Sequence, residues 1–480
     1  MTSNEMPSAS GVRITGDKYQ WLHAWRICME ALHENLTRNT TNPIVAVGVE
    51  EADAGNGDDV VRHRAQPPHT YTQVKYAADG RTSVNLAYLD DSRVLRKLVE
   101  THKMLTADGT SVEIELVTNR AIDPTDVLLK DRDGRDDRLM PRAAEGGAQS
   151  SRGQARTAWA TAAGTDETTL MNFLEDFRVN ASYDRKRLRA DVGLLMTANG
   201  LRSDDASIST GVNWIDEQVI AGHRLLSLDD IKGAILHLNL QAGSPWTTVS
   251  IATIKRDHVA DQALVAINWV DKISGDTDWN RIEPAPPATW DDLAAEIRTI
   301  PSLLEDHTRI LVSGHMRQAS GFLIGTELRR VLTYEVGVRQ GDRLWTSEEP
   351  TGGQLLSTVE TSVDAGPDIA LIVNVSADGA PDAIEWIRES GLTVSKIVVA
   401  SPTSGTGPTA IPTPGAANTL AVNIRDIARR HSRAGHIHLF LIGPLGLAVL
   451  LGHHWNRVTT THVYEHLGGA DYVHAFTVDA

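Results

Sequence analysis

The chain has 480 residues, 41% hydrophobic and 22% charged, with 62 acidic against 46 basic side chains and a net charge of −16. That length exceeds one hydrophobic core and calls for two or three domains. The acidic balance excludes a protein that coats nucleic acid through a broad basic surface, although a local groove with a bound cation still leaves a nuclease open.

In chain order, a helix is expected over 19–32, where Leu22, Trp25, Ile27 and Leu32 fall at helical spacing. Its one cysteine, Cys28, rules out an internal disulfide framework and fits a reducing cytoplasm. The β-branched runs 43–49 and 71–76 read as strands, 91–104 as a charged amphipathic helix and 112–117 as a strand. The polar stretch 131–156 has the composition of a mobile loop or linker. From about 155 to 240 the apolar spacing is helical (170–177, 188–198, 212–223 and 228–238), and this part reads as a bridging helical domain.

A Pro-rich joint at 283–289 precedes a helix over 290–300. Strands are then expected at 309–313, 335–338, 369–375, 396–400 and 436–442, with helices at 322–332, 380–390 and 419–431. Such alternation gives a mostly parallel sheet covered by helices. Two segments echo each other: RILVSG at 309–314, followed by a helix containing LIG at 323–325, and HLFLIG at 438–443, followed by a helix containing LLG at 450–452. The echo points to a pseudo-symmetric, two-lobed Rossmann-like domain. The polar N-terminus does not read as a signal peptide, and no apolar run approaches the roughly 20 residues of a membrane span, so a cytoplasmic protein without a membrane partner is expected.

Metal-dependent cleavage of a phosphodiester needs oxygen ligands for a hard divalent cation and a group that serves the attacking water, a role a lysine fills. Gln73-Val-Lys75 has the required spacing, because period-2 alternation puts Gln73 and Lys75 on one strand face while Val74 points to the core. Acidic residues precede it at Glu50 and among Asp53, Asp58 and Asp59. With GDKYQ at 16–20 opening the first helix, this block resembles the PD-(D/E)xK nucleases, specifically the N-terminal double-stranded-DNA endonuclease domain of bacterial antiphage effectors. The resemblance implies that Asp59 and Gln73 bind Mg²⁺, that Lys75 serves the water, and that Glu50 or Gln20 completes the site. Gln73 departs from the acidic residue usual before the lysine; its carbonyl can ligate but brings no charge. Asp59 is favoured as ligand because it directly precedes Val60-Val61.

Rossmann-like sheets bind ligands at the carboxyl ends of their strands. Arg317 falls at such an end and suits a phosphate or a base; Trp345 and Tyr464 are candidate stacking aromatics, and neither glycine turn is a GxGxxG fingerprint. The histidines at 436, 438, 453, 454, 462 and 466 invite a metal, but the domain offers no thiolate. From about Ala263 onward the chain resembles the SAVED domain of CBASS antiphage systems. The resemblance is carried by NWVD (268–271), GHMR (314–317), FLIG (322–325), QGDRLWT (340–346), HLF (438–440), Pro444, GHHWN (452–456) and VYE (463–465). It implies two fused CARF-like lobes that bind a cyclic oligonucleotide, usually a cyclic trinucleotide, made by a partner nucleotidyltransferase, with Arg317, Trp345, Pro444 and Tyr464 as the ligand-binding residues.

The expected architecture is therefore α/β throughout: a restriction-endonuclease-like α/β/α domain over 1–155, a helical bridging region over 156–245 and a SAVED domain over 246–480. The expected function is a double-stranded DNA endonuclease that the cyclic oligonucleotide activates, with ligand-induced homo-oligomerisation implied by the resemblance. The alternatives are a sensor whose degenerate nuclease domain binds DNA or a partner without cutting, and a nucleotide-degrading enzyme on the C-terminal lobes.

Overall fold

The structure, a computed structural model, describes residues 9–479 except 39, 58, 80–81, 134–135, 276, 279, 341–342, 364–365 and 432–434, and the side chains of 9–12 and 53. The chain divides into two compact units, Met1–Pro245 and Trp246–Ala480.

In the first unit α1 (Ala9–Thr37) is central rather than amphipathic: every residue from 21 to 34 is buried. A helix buried on all sides needs cover on all sides. One side is a six-stranded sheet built from β1 (Ile44–Val49), β2 (Val60–Arg64), β3 (His69–Lys75), β4 (Val112–Thr118), β5 (Phe177–Asn180) and β6 (Leu225–Ser227), in the order β5-β4-β3-β2-β1-β6. The strands β1, β2 and β3 form an antiparallel meander, and β3, β4 and β5 run parallel. The other face of the sheet is covered by a cluster from α2 (Leu86–Asp91), α3 (Val94–Leu105), α4 (Ser151–Ala163) and α5 (Glu167–Glu175), in which Leu98, Leu116, Trp159 and Phe173 are buried together. The helices α6 (Arg185–Ala198), α7 (Asp205–Ile220) and α8 (Leu228–His237) pack on α1. Gly211 of α7 lies against the Trp25 ring, where a Cβ has no room.

The region 156–245 is thus not a separate helical bridge. Its helices enclose α1, and its two short strands β5 and β6 are the edges of the same sheet. The stretch 131–156 is likewise held in place, as far as it is described. Arg152 pairs with Asp131, and Arg156 donates to the carbonyls of Ala143, Glu145 and Gly146 as well as to Glu167. Its charges compensate one another locally, which composition alone does not reveal.

Inside the sheet Arg62 donates to Glu30 at 3.2 Å, Glu115 at 3.0 Å and Thr72 at 3.3 Å. Arg62 and the cations Arg178 and Arg26 hold the Glu115 carboxyl well below the usual range against the opposing effect of burial.

The second unit contains two sheets. The first has the order β11-β10-β9-β7-β8, from β7 (Thr247–Ala252), β8 (Val265–Asn268), β9 (Arg309–Ser313), β10 (Glu335–Gln340) and β11 (Arg343–Thr346). The second has the order β12-β14-β13-β15-β16-β17, from β12 (Leu356–Ser362), β13 (Asp368–Asn374), β14 (Val394–Pro402), β15 (Ile437–Ile442), β16 (Thr461–Gly468) and β17 (Asp471–Val478). Both are parallel in their middle, with antiparallel edges at β11, β12 and β17. The helices are α9 (Trp290–Leu303), α10 (Gln318–Glu327), α11 (Ala380–Glu389), α12 (Pro414–His431) and α13 (Leu445–His454).

The sequence echo is the architecture of this unit. β9 and β15 each end in a glycine turn leading into α10 and α13, and those two helices cross backbone against backbone. A Cβ on Gly325 would overlap the Val449 carbonyl, and one on Gly452 the Phe322 carbonyl. Gly314, at φ +113°, is packed against the Ile251 carbonyl, a position only glycine takes without strain.

Candidate functional site

In the first unit, one register step beyond the pairs Val49↔Val60 and Val60↔Thr72 brings Glu50, Asp59 and Gln73 into one row across the end of β1, β2 and β3. The Glu50 N–H donates to the Asp59 carbonyl at 3.4 Å, and so does Gln20 Nε2 from α1, also at 3.4 Å. Asp59 Oδ2 accepts the Val74 N–H at 2.7 Å and a short hydrogen bond from Gln73 Nε2. Lys75 lies two residues further along β3, half-buried, and among the described residues it has no hydrogen-bond or ion-pair partner.

All five expected residues therefore collect at one sheet end, but two are committed in ways the sequence does not show. Glu50 sits at φ +51°, and its carboxylate is held by Arg224 Nη1 at 2.6 Å, with a second contact to its carbonyl at 3.2 Å. Gln73 presents its amide nitrogen, not its oxygen, to Asp59. Asp58 and the side chain of Asp53 lie outside the described residues. The oxygens here are hard donors of the kind Mg²⁺ takes, yet the arrangement offers one carboxylate where that cation wants several oxygens. No group of three Asp, Glu, His or Cys side chains among the described residues is placed to hold a metal. As arranged, the row does not fit Mg²⁺.

The second unit carries two adjoining cavities at the carboxyl ends of β9 and β15, about 560 and 370 Å³, which share Ile254, Met316, Arg317 and Leu445. The smaller is bordered by Lys255, His315 and Asp278, the larger by Gln318, Asp378, Asp382, Glu465, His466 and Tyr472. Gln318 ties the two lobes together beneath them: its Nε2 donates to the Gly443 carbonyl at 2.6 Å, and its Oε1 accepts the Gly443 N–H at 3.3 Å. Arg317 lies between both cavities and is oriented by the Arg281 carbonyl, to which Nε donates at 3.0 Å. Glu465 is buried at the cavity floor, and burial pushes its carboxyl up to about 7 even though it accepts the Ala319 N–H at 2.9 Å and faces Arg317. Arg317 and Lys255 put cationic groups at this strand-end hollow, which suits an anionic ligand, while Asp378 and Asp382 line the larger cavity with acceptors that disfavour one.

Of the four residues expected there, Arg317 lines the cavities and Pro444 caps the α13 N-terminus beside them. Trp345 and Tyr464 do not line them. Trp345 is buried beneath α13 against Gly446, and Tyr464 stacks on Phe440 at 4.7 Å and bonds His438 at 3.0 Å. Each fills the core because strand alternation turns it inward. The rings at the cavities are Tyr472 and His466 in the larger and His315 in the smaller. The remaining histidines are spent on one another or on core acceptors: His436 meets His462 at 3.1 Å, and His454 meets Asn418 at 2.6 Å.

The fold defines the second unit as a two-lobed α/β unit with cavities at its strand ends. Residues 293–478 match the family model for SAVED, the "SMODS-associated and fused to various effectors sensor domain", so this unit carries a SAVED domain. The chain is 22% identical over 191 residues to CD-NTase-associated protein 4 of Enterobacter hormaechei subsp. hoffmannii (strain UCI 50), a match spanning 38% of the chain and 38% of that relative. Two solved structures are also similar. One is the Acinetobacter baumannii Cap4 SAVED/CARF-domain containing receptor with the cyclic trinucleotide 3'3'3'-cAAA (12% identity, TM-score 0.42, covering 97% of this chain and 99% of that one). The other is the Moraxella osloensis Cap4 receptor (13% identity, TM-score 0.39, covering 97% and 99%). Among the described residues, no helix is long and apolar enough to cross a membrane.

Proposed function

We propose that the chain is an antiphage effector of the CBASS type, in which the SAVED unit binds a cyclic oligonucleotide, probed first as a cyclic trinucleotide, and the first unit cuts double-stranded DNA. The observation that carries the sensor half is the cavity at the paired strand ends, lined by Arg317, Lys255 and His315, within a segment that matches SAVED. The nuclease half is supported by the helix, antiparallel meander, helix and parallel strand of the first unit, which order Gln20, Glu50, Asp59, Gln73 and Lys75 at one sheet end.

Lys75 is the group we assign to the attacking water. It is half-buried at that end, and unpaired among the described residues, so its charge is available to an incoming phosphate. Mg²⁺ is the cofactor this reading calls for; Asp59, Gln73 and Glu50 would hold it, and it would supply charge to the scissile phosphate. Because the row does not fit it as arranged, Gln73 has to turn its amide and Glu50 has to leave Arg224. Ligand binding, assembly of subunits and supply of the messenger by a nucleotidyltransferase complete the proposal.

The test is cleavage of duplex DNA by the full chain with Mg²⁺, with and without 3'3'3'-cAAA and a panel of other cyclic di- and trinucleotides. Ligand-dependent cutting that Lys75→Ala abolishes, with ligand binding retained, is the expected result. Intact DNA across the whole panel removes the nuclease half and leaves a sensor with a degenerate nuclease domain, the reading that the amide at Gln73 favours.

A further inference from the structure

The chain is acidic overall, yet four of the five residues 185–189 are basic: Arg185, Lys186, Arg187 and Arg189. They open α6, whose N-cap Asp184 accepts the Arg187 N–H at 2.8 Å. Helical spacing puts Arg185, Lys186 and Arg189 on one face, since neighbours on a helix are three and four residues apart. Lys18 of α1 joins them, and Lys18, Arg185 and Arg189 border one shallow hollow of about 100 Å³ with Ser209 and Asn213.

Of the nearby acids, Asp17 beside Lys18 has no hydrogen-bond or ion-pair partner among the described residues, and three others are engaged. Asp205 pairs with Arg189, Asp191 takes the Tyr183 hydroxyl, and Asp184 caps the helix. Arg185, Lys186 and Lys18 are exposed and, among the described residues, have no hydrogen-bond or ion-pair partner. Solvated cations gathered on one face add little to the fold, and they leave a local positive field that an anionic partner can use.

Their position in the first unit says which partner. The Tyr183 N–H donates to the Thr118 carbonyl at 3.0 Å, and Thr118 is the residue paired with Lys75 across β4 and β3. Tyr19, next to Lys18, lies against Tyr76 in a tilted ring pair with centroids 5.1 Å apart, and Tyr76 follows Lys75. The basic face therefore begins at the sheet end that holds Lys75.

We propose that this face, Lys18 with Arg185, Lys186 and Arg189, seats the phosphate backbone of duplex DNA and delivers it to the end of β3. The proposal rests on the nuclease reading above and supplies what the acidic balance of the chain withholds, a local positive field. Contacts of this kind are independent of base sequence and release counterions, so affinity falls steeply with salt.

The experiment measures binding of a labelled 20-base-pair duplex to the full chain by fluorescence anisotropy, in EDTA so that nothing is cut, from 50 to 200 mM salt. Arg185→Ala with Lys186→Ala should lower affinity at least tenfold at 100 mM salt and make the log–log salt slope shallower by about 1.8, the value for two lost phosphate contacts. Binding of 3'3'3'-cAAA and the thermal melt should be unchanged, and the conservative pair Arg185→Lys with Lys186→Arg should restore DNA binding. Parental affinity and slope in the alanine pair, or no duplex binding by the parent, overturns the proposal. So does tighter binding of single-stranded RNA or of phosphatidylserine vesicles through the same residues. A parent that binds duplex through this face but never cuts it overturns the nuclease reading alone; a parent that cuts, with an alanine pair that binds and cuts equally well, overturns this one alone.

Discussion

Replacing Glu465 by Gln should make the second unit more stable above neutral pH and leave it unchanged in acid. Burial at the cavity floor raises this carboxyl from about 4.5 to about 7. Between those values the folded chain keeps a proton that the unfolded chain gives up, so stability is fully present below about pH 4.5 and is lost as pH rises towards 7. At about 1.4 kcal/mol per pH step, the loss approaches about 3 kcal/mol. Glutamine holds the neutral shape throughout and can still accept the Ala319 N–H through its Oε1. Urea unfolding at pH 5, 6, 7 and 8, followed by tryptophan fluorescence, should show the parent weakening across this window relative to Glu465→Gln, with a gap of up to about 3 kcal/mol at pH 8. Parallel pH profiles for the two proteins would refute the reasoning, because the carboxyl would then titrate alike folded and unfolded.

Gly452→Ala should cost about 3 kcal/mol, read as a lower urea midpoint for the second unit, because the new methyl meets the Phe322 carbonyl, a backbone atom that cannot rotate away. Glu115→Ala should cost about 3–5 kcal/mol in the first unit by leaving Arg62 buried without one of its two carboxylate partners; a melt shifted by less than a degree would contradict this. Arg224→Ala releases the Glu50 carboxylate, so under the nuclease reading the Mg²⁺ concentration for half-maximal DNA cutting should fall severalfold, and an unchanged or higher requirement would count against Glu50 as a metal ligand.

How much was legible depends on whether a physical constraint leaves a mark on residue type. The two-lobed architecture was legible because helices that cross at backbone contact demand glycine, and Gly325 and Gly452 recur at matching places after Gly314 and Gly443. The shared strand of Gln73 and Lys75 was legible because alternation is fixed by the pleat. β5 and β6, of four and three residues, are too short to show a period, which is why 156–245 reads as purely helical although it closes the first sheet. Trp345 and Tyr464 suit a base-stacking role by type and a core by position, and only the packing decides between them. The hold of Arg224 on Glu50 joins residues 174 apart in sequence, and nothing local announces it.

Charge shows the same limit from the other side. A net charge is a sum over every side chain, whereas a bound phosphate responds to the few charges within about 8 Å at physiological salt. The sum of −16 argues against a basic coat. It is silent about Arg185, Lys186 and Arg189, which the α6 helix gathers on one face and the fold of the first unit brings beside Lys18. The acidic excess elsewhere even sharpens such a face: a duplex repelled by most of the surface is oriented by the part that attracts it. Under the proposal above, an acidic chain with a basic start to α6 would admit duplex DNA at that face rather than over its surface at large.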